Sequence, residues 1–171
     1  PTSSEILIDA SAWIGNKSLH DATLTMASFM TYCQNLGVTV TTNNISDNNT
    51  SGHYSFTDGN GGYEKTLIFW KGHQQSSYIE FTAPITGTCE IKYGNTYQES
   101  RLYLNDTAPF NPNAANNSHF HSIVGGVDPG INYSGTTYAH KTTSFAVNEG
   151  DKIRVLEHVL SVCHLFYIKF T

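Results

Sequence analysis

The sequence predicts an all-β protein: an antiparallel β-sandwich of the jelly-roll kind, with roughly nine to eleven strands and one short helix near residues 25–36. Three observations carry this. Apolar residues alternate with polar ones in short stretches along most of the chain. Clusters of Gly, Pro and Asn bound those stretches. Such period-two patterns between turn formers mark strands with one buried face. Finally, only 13% of residues are charged, against about 25% in a typical soluble domain. That balance suits an extracellular sandwich. At 171 residues the chain fits a single domain, 1–171, with a proper core.

In order, Glu5–Asp9 is a short apolar strand. Ser11–Gly15 follows, with Trp13 either anchoring the core or exposed at the sandwich end. Residues 25–37 behave differently. Met26, Phe29, Met30, Cys33 and Leu36 fall on one helical face, with Thr25 placed as N-cap and Gly37 just beyond the C-cap. Val38–Thr42 is a β-branched strand, and His53–Phe56 alternates. Asp58-Gly59-Asn60-Gly61-Gly62 is a strong turn, whose oxygens can also hold a structural calcium ion although it lacks EF-hand spacing.

The clearest block is 63–104. Tyr78–Thr82, Cys89–Tyr93 and Arg101–Leu104 each alternate, separated by Ala83-Pro84-Ile85-Thr86-Gly87 and Gly94-Asn95-Thr96. Ile79, Phe81, Cys89, Ile91, Tyr93, Leu102 and Leu104 form the core set. Tyr78, Glu80, Thr82, Glu90, Lys92, Arg101 and Tyr103 point the other way. This second face reads either as a solvated surface with a Glu80–Lys92 cross-strand pair, or as a shallow ligand platform.

Residues 105–135 form a long loop with little periodicity. It holds His119-Phe120-His121, whose two histidines share a face of an extended segment. With His140 they can ligate one metal, but no supporting carboxylate is identifiable. Thr142–Val147 and Lys152–Leu156 are strands around the tight turn Asn148–Asp151. The last strand is His164–Thr171, with Phe166, Ile168 and Phe170 inward and Leu165, Tyr167 and Lys169 outward. A chain ending in a full strand is expected to close the sheet.

Cys33, Cys89 and Cys163 are widely spaced and include no CxxC, so they read as buried free thiols. One disulfide with one free thiol is the alternative. In an extracellular protein, free thiols point to a reducing habitat. Seven Asn-x-Ser/Thr sequons reflect a chain rich in Asn, Ser and Thr. The net charge of -5 argues against nucleic acid as a partner, and no Lys/Arg cluster contradicts that. No apolar run approaches the ~20 residues that span a bilayer. A chain opening on Pro1 is expected to be a piece of a longer protein.

Motifs of catalysis are missing: GxSxG, HExxH, a phosphate loop and a dinucleotide loop. The fourteen acidic residues are scattered, so no glycosidase pair can be nominated. The sequence therefore predicts a non-enzyme.

Five stretches carry a resemblance: Tyr63–Gly72 (YEKTLIFWKG), Tyr78–Ile91 (YIEFTAPITGTCEI), Arg101–Leu104 (RLYL), Thr142–Asp151 (TTSFAVNEGD) and Leu165–Phe170 (LFYIKF). Their succession resembles the non-catalytic β-sandwich modules attached to bacterial pectate lyases and related plant-cell-wall enzymes. It covers 63–104 and 142–171. The resemblance implies an extracellular carbohydrate-binding module, monomeric within a larger enzyme, with a polysaccharide as partner and neither nucleic acid nor membrane. Aromatic faces would stack on sugar rings while polar groups bond hydroxyls. Trp70, Tyr78, Lys92, Arg101 and Tyr103 are the platform candidates. Tyr97, Tyr133 and Tyr138 are the loop candidates. For a uronic-acid polymer, Lys71, Lys92 and Arg101 are the available cations. The competing class is a phage or viral surface domain, such as a tail-fibre tip. It is supported by the Asn/Thr-rich composition, the His119-Phe120-His121 segment and the Glu149-Gly150-Asp151-Lys152-Ile153 corner, and separated from a module by a trimeric state. A jelly-roll lyase or hydrolase is the third alternative.

Overall fold

The computed structural model describes residues 4–18, 21–43, 45, 50–57, 63–69, 78–96, 99–105, 120–122, 139–158 and 162–171. Eleven strands and two helices lie among them: β1 (Ile6–Asp9), α1 (Ala10–Ile14), α2 (Met26–Asn35), β2 (Val40–Asn43), β3 (Thr50–Thr57), β4 (Tyr63–Phe69), β5 (Tyr78–Thr82), β6 (Gly87–Thr96), β7 (Glu99–Leu104), β8 (Phe120–Ser122), β9 (Ala139–Val147), β10 (Lys152–His158) and β11 (Val162–Phe170).

The strands make two sheets. One has the order β3-β4-β11-β6-β9, with β1 also pairing β11; the other runs β2-β5-β10-β7-β8. All pairings are antiparallel except β7 with β8. The sheets share one apolar layer, as expected of a sandwich. Ile79, Phe81, Leu102, Ile153 and Val155 enter it from the five-stranded sheet. Leu67, Phe69, Cys89, Ile91, Tyr93, Leu165, Ile168 and Phe170 enter from the other. The inward set read from the alternation in 78–104 is found there, with Leu104 packed partly buried at its margin.

The helices seal one margin of this layer. Thr25 caps α2, and a capping box with Ser28 is complete. Gly37 beyond it has φ 83°, a left-handed conformation that suits glycine. Trp13 settles into the core: its indole meets Phe29 edge-on at 5.2 Å between centroids, and its N–H donates to the Ser28 hydroxyl at 3.1 Å. The sequence showed no sign of α1, a single turn opened by Asp9, whose carboxylate accepts from the Ser11 N–H at 3.0 Å.

Three sequence expectations change. A bulge between Leu165 and Tyr167 inserts one residue into β11. Leu165 therefore faces the core, while Phe166 leaves it and lies beneath Lys92. Gly94-Asn95-Thr96, expected to break the strand, continues β6 to Thr96, and the closing strand β11 runs between β6 on one side and β4 with β1 on the other. Within the loop 105–135, Phe120–Ser122 is a short strand beside β7.

All three cysteines are free and buried. Burial pushes the Cys33 and Cys89 thiols up to about 12, which keeps them protonated and inert.

One end of the sandwich is closed by two turns, Ala83–Thr86 between β5 and β6 and Asn148–Asp151 between β9 and β10. They are tied together: Gly150 N–H donates to Ala83 O at 2.9 Å, and Ala83 N–H to Asp151 O at 2.8 Å. The Asp151 carboxylate accepts from the Asn148 N–H at 2.8 Å and the Asn105 amide at 3.1 Å. Thr88 and Thr171 exchange backbone hydrogen bonds at 2.8 and 2.9 Å, so Gly87 lies against the chain beside them. A Cβ at Gly87 would sit 2.1 Å from the Thr171 carbonyl oxygen. Gly87→Ala is expected to cost about 1–3 kcal/mol, read as a lower urea midpoint at unchanged slope.

The Asn148 N–H and then the Asn105 amide hold the Asp151 carboxyl below the usual range. Its folded pKa lies below its unfolded one. The stability it contributes is therefore complete above the unfolded value near ~4 and lost as pH falls through the folded one. The stability difference between wild type and Asp151→Asn is expected to be largest at neutral pH and to shrink as pH falls through the range where carboxylates protonate, as measured by urea titrations across that range.

Candidate functional site

Inward residues fix the outward ones. With Ile79, Phe81, Leu102, Ile153 and Val155 in the core, strand alternation sends Tyr78, Glu80, Thr82, Tyr103, Lys152 and Arg154 to the outer face of the five-stranded sheet. The register sets them in rows. Thr41 stands opposite Glu80, Glu80 opposite Arg154, and Arg154 opposite Tyr103. The next row reads Asn43, Tyr78, Leu156, Arg101 and His121 by ladder position.

Arg154 is the centre of this face. Its Nε donates to Glu80 Oε2 at 2.9 Å, and its Nη2 reaches the same oxygen at 2.8 Å. The guanidinium carbon lies 3.9 Å above the Tyr78 ring centroid, a cation–π stack on the diagonal neighbour. Glu80 keeps 15% of its side chain exposed and Arg154 23%. Tyr78 and Tyr103 are half-buried. One row along, the exposed Lys152 ammonium donates to Thr82 Oγ1 at 2.6 Å. The face thus sets a fixed guanidinium, stacked on the Tyr78 ring, beside a carboxylate, hydroxyls and the Tyr103 side chain.

The outer face of the other sheet differs. Thr66, Ile68 and His164 alternate with core residues, yet all are buried, as is Phe166. Thr66 Oγ1 and His164 Nδ1 lie 3.0 Å apart there. Beyond them, Lys92 stands over the Phe166 ring at 4.4 Å. The Tyr167 hydroxyl donates to Glu90 Oε2 at 2.8 Å, and Lys169 lies 3.4 Å from that oxygen. The Tyr167 hydroxyl above all holds the Glu90 carboxyl below its ordinary value; burial opposes it, and Lys169 and Ser144 add to the lowering.

These positions divide the sequence candidates. Tyr78 and Tyr103 share the five-stranded face, and Arg101 belongs to its ladder. Lys92 is on the opposite sheet. The Glu80–Lys92 pair does not form, because the turn Ala83–Thr86 carries the chain between sheets; Glu80 pairs with Arg154 instead. Trp70, Tyr97, Tyr133 and Tyr138 lie outside the described residues, as do Lys71, the turn Asp58–Gly62 and His119. The strand residues next to three of them do lie together. Phe69 and Asn95 both stand opposite Cys163, Thr96 opposite Val162, and Ala139 opposite Asn95. The tight turns at the far end put Tyr78 at this same end. His121 and His140 fall in different sheets, on β8 and β9. Among the described residues no three His, Cys, Asp or Glu side chains converge as a metal site.

No family model and no curated protein matches the chain. Solved structures do. The chain is similar in fold to carbohydrate-binding modules. A family 35 module from Clostridium thermocellum aligns at TM-score 0.39 and 13% identity, over 98% of this chain and 97% of that one. CBM35 from Paenibacillus barcinonensis aligns at TM-score 0.37 and 17% identity, over 75% and 89%. A module of Cellvibrio mixtus lichenase 5A, solved with cellotriose, aligns at TM-score 0.32 and 16% identity, over 72% and 87%.

Sequence reasoning missed Arg154. Its alternation with Ile153 and Val155 was visible, but its pairing with Glu80 depends on β10 lying between β5 and β7. A double-mutant cycle of Glu80→Ala and Arg154→Ala is expected to give a coupling of about 1 kcal/mol, reflecting a partly shielded pair. Urea denaturation of the four proteins reads it; a coupling near zero would mean that the pair does not hold in solution.

Proposed function

We propose that the chain is an extracellular, non-catalytic carbohydrate-binding module that holds an appended enzyme on a plant cell-wall polysaccharide. The observation that carries this is the row Glu80–Arg154–Tyr103 with Tyr78 beneath the guanidinium. Sugar rings present C–H faces that stack on aromatics and hydroxyls that both donate and accept. A flat surface alternating phenol rings with fixed charged and neutral polar groups answers both. The resemblance of 63–104 and 142–171 to modules of plant-cell-wall enzymes supports the same reading, as does the low charge of the chain.

The non-catalytic role is supported by how the carboxylates are used. Glu80 is bound to Arg154, and Glu90 to Tyr167 and Lys169. They lie on opposite sheets. Trp70, Tyr97 and Tyr138 are kept as sugar-stacking candidates from the sequence. Tyr133 remains a loop candidate, and the module is proposed to act as a monomer.

Affinity electrophoresis through gels containing pectin, xylan, xyloglucan, β-glucan or mannan tests the proposal. Retardation by at least one polymer is expected. Tyr103→Ala and Arg154→Ala should each weaken it about tenfold, the scale of one lost aromatic or charged contact. Lys169→Ala, on the other sheet, should leave it unchanged. Migration unaltered by every polymer would end the carbohydrate reading.

A further inference from the structure

The centre of the five-stranded face is already neutral. Two guanidinium donors, Nε and Nη2, converge on one oxygen, Glu80 Oε2, at 2.9 and 2.8 Å. Among the described residues, Glu80 Oε1 receives no hydrogen bond and Arg154 Nη1 donates none. An acceptor and a donor without a described partner therefore lie side by side, the guanidinium over the Tyr78 ring and in the ladder row of Tyr103. We infer that this row selects an uncharged sugar through a pair of adjacent hydroxyls and rejects a uronate at the same position. The inference rests on the carbohydrate-binding reading above.

The chemistry is complementary on both counts. One hydroxyl of a vicinal pair donates to Oε1, and its neighbour accepts from the guanidinium. A sugar carboxylate has no proton for Oε1 and brings a second negative charge to its side. To use Arg154 it must displace Glu80 from two charge-assisted bonds. A further cation flanks the row: Lys152 lies two residues along β10 with its ammonium on Thr82. It draws a polyanion to the face as a whole, so Glu80 is the element that discriminates at its centre. Specificity of this kind is built by a repulsive group as much as by an attractive one.

The test compares matched polymers that differ in carboxylation alone: β-glucan and galactomannan against their C6-carboxylated forms, and methyl-esterified against de-esterified homogalacturonan. Wild type is expected to hold the neutral member at least about fivefold more tightly, the scale of one like-charge contact near 4 Å in a solvated site. Glu80→Gln keeps the shape of the side chain and removes its charge. It is expected to bring the two members within about twofold or to reverse their order, because Arg154 is then an uncompensated cation. Circular dichroism checks its fold. Equal or tighter binding of the carboxylated member by wild type overturns the inference, and so does a ratio unmoved in folded Glu80→Gln. The wild-type ratio needs no variant and stands if Glu80→Gln fails to fold. Binding of neither member of any pair would instead be a failure of the carbohydrate reading.

Discussion

Two sheets must share one apolar layer, and most of the molecule follows from that. Each strand can bury only every second residue. Phe81 and Ile79 on β5 are buried, as are Ile153 and Val155 on β10. Each such large side chain contributes about 1.5–3 kcal/mol on leaving water. A slip of one residue in either strand would expose this set and bury Glu80 and Arg154 in its place. The register is thus fixed by the core, and the register then decides which polar groups meet outside. Arg154 lies between Glu80 and Tyr103 because Val155 and Ile153 are held below.

The same layer explains the helices. An open sandwich leaves apolar margins, and α1 and α2 cover one. Trp13, Phe29 and Tyr32 interlock there, with ring centroids 5.2 and 6.1 Å apart. The contacts are cross-linked by polar bonds: Trp13 to Ser28, and the Asp9 N–H to the Tyr32 hydroxyl at 3.2 Å. The Lys65 ammonium also caps the Gly15 carbonyl after α1. Ser28 serves both the capping box and the indole, so helix start and margin packing are one device.

Period-two stretches were legible because each buries one face: β5, β7, β9 and β10 stand where the alternation placed them, while β6 runs on through Gly94-Asn95-Thr96 because its partners β11 and β9 continue the ladder there. The helix 26–35 was legible because its apolar face changes period and Thr25 precedes it. What failed depended on non-local facts. The bulge at Leu165/Tyr167 is invisible in Leu165-Phe166-Tyr167, where all three residues are apolar or aromatic and either parity fits. α1 is too short to show a period. Glu80 was assigned to Lys92 because they are near in sequence on adjacent strand-like stretches. The turn that separates those strands into different sheets looks like any hairpin turn. Its neighbour Arg154 is 74 residues away, and only the sheet order brings them together.

That order also gives the face its chemical character. A free arginine on a flexible surface binds at a cost, since its side chain must be ordered and partly dehydrated. Arg154 has met both costs in folding: Glu80 fixes its fork, and Tyr78 covers one side of its plane. What is left to a ligand is a rigid set of donors and one acceptor whose net charge is near zero. Such a group has little long-range pull and much short-range directionality. It is poorly suited to gathering ions and, on the carbohydrate reading proposed above, suited to the positions of hydroxyls on a sugar ring.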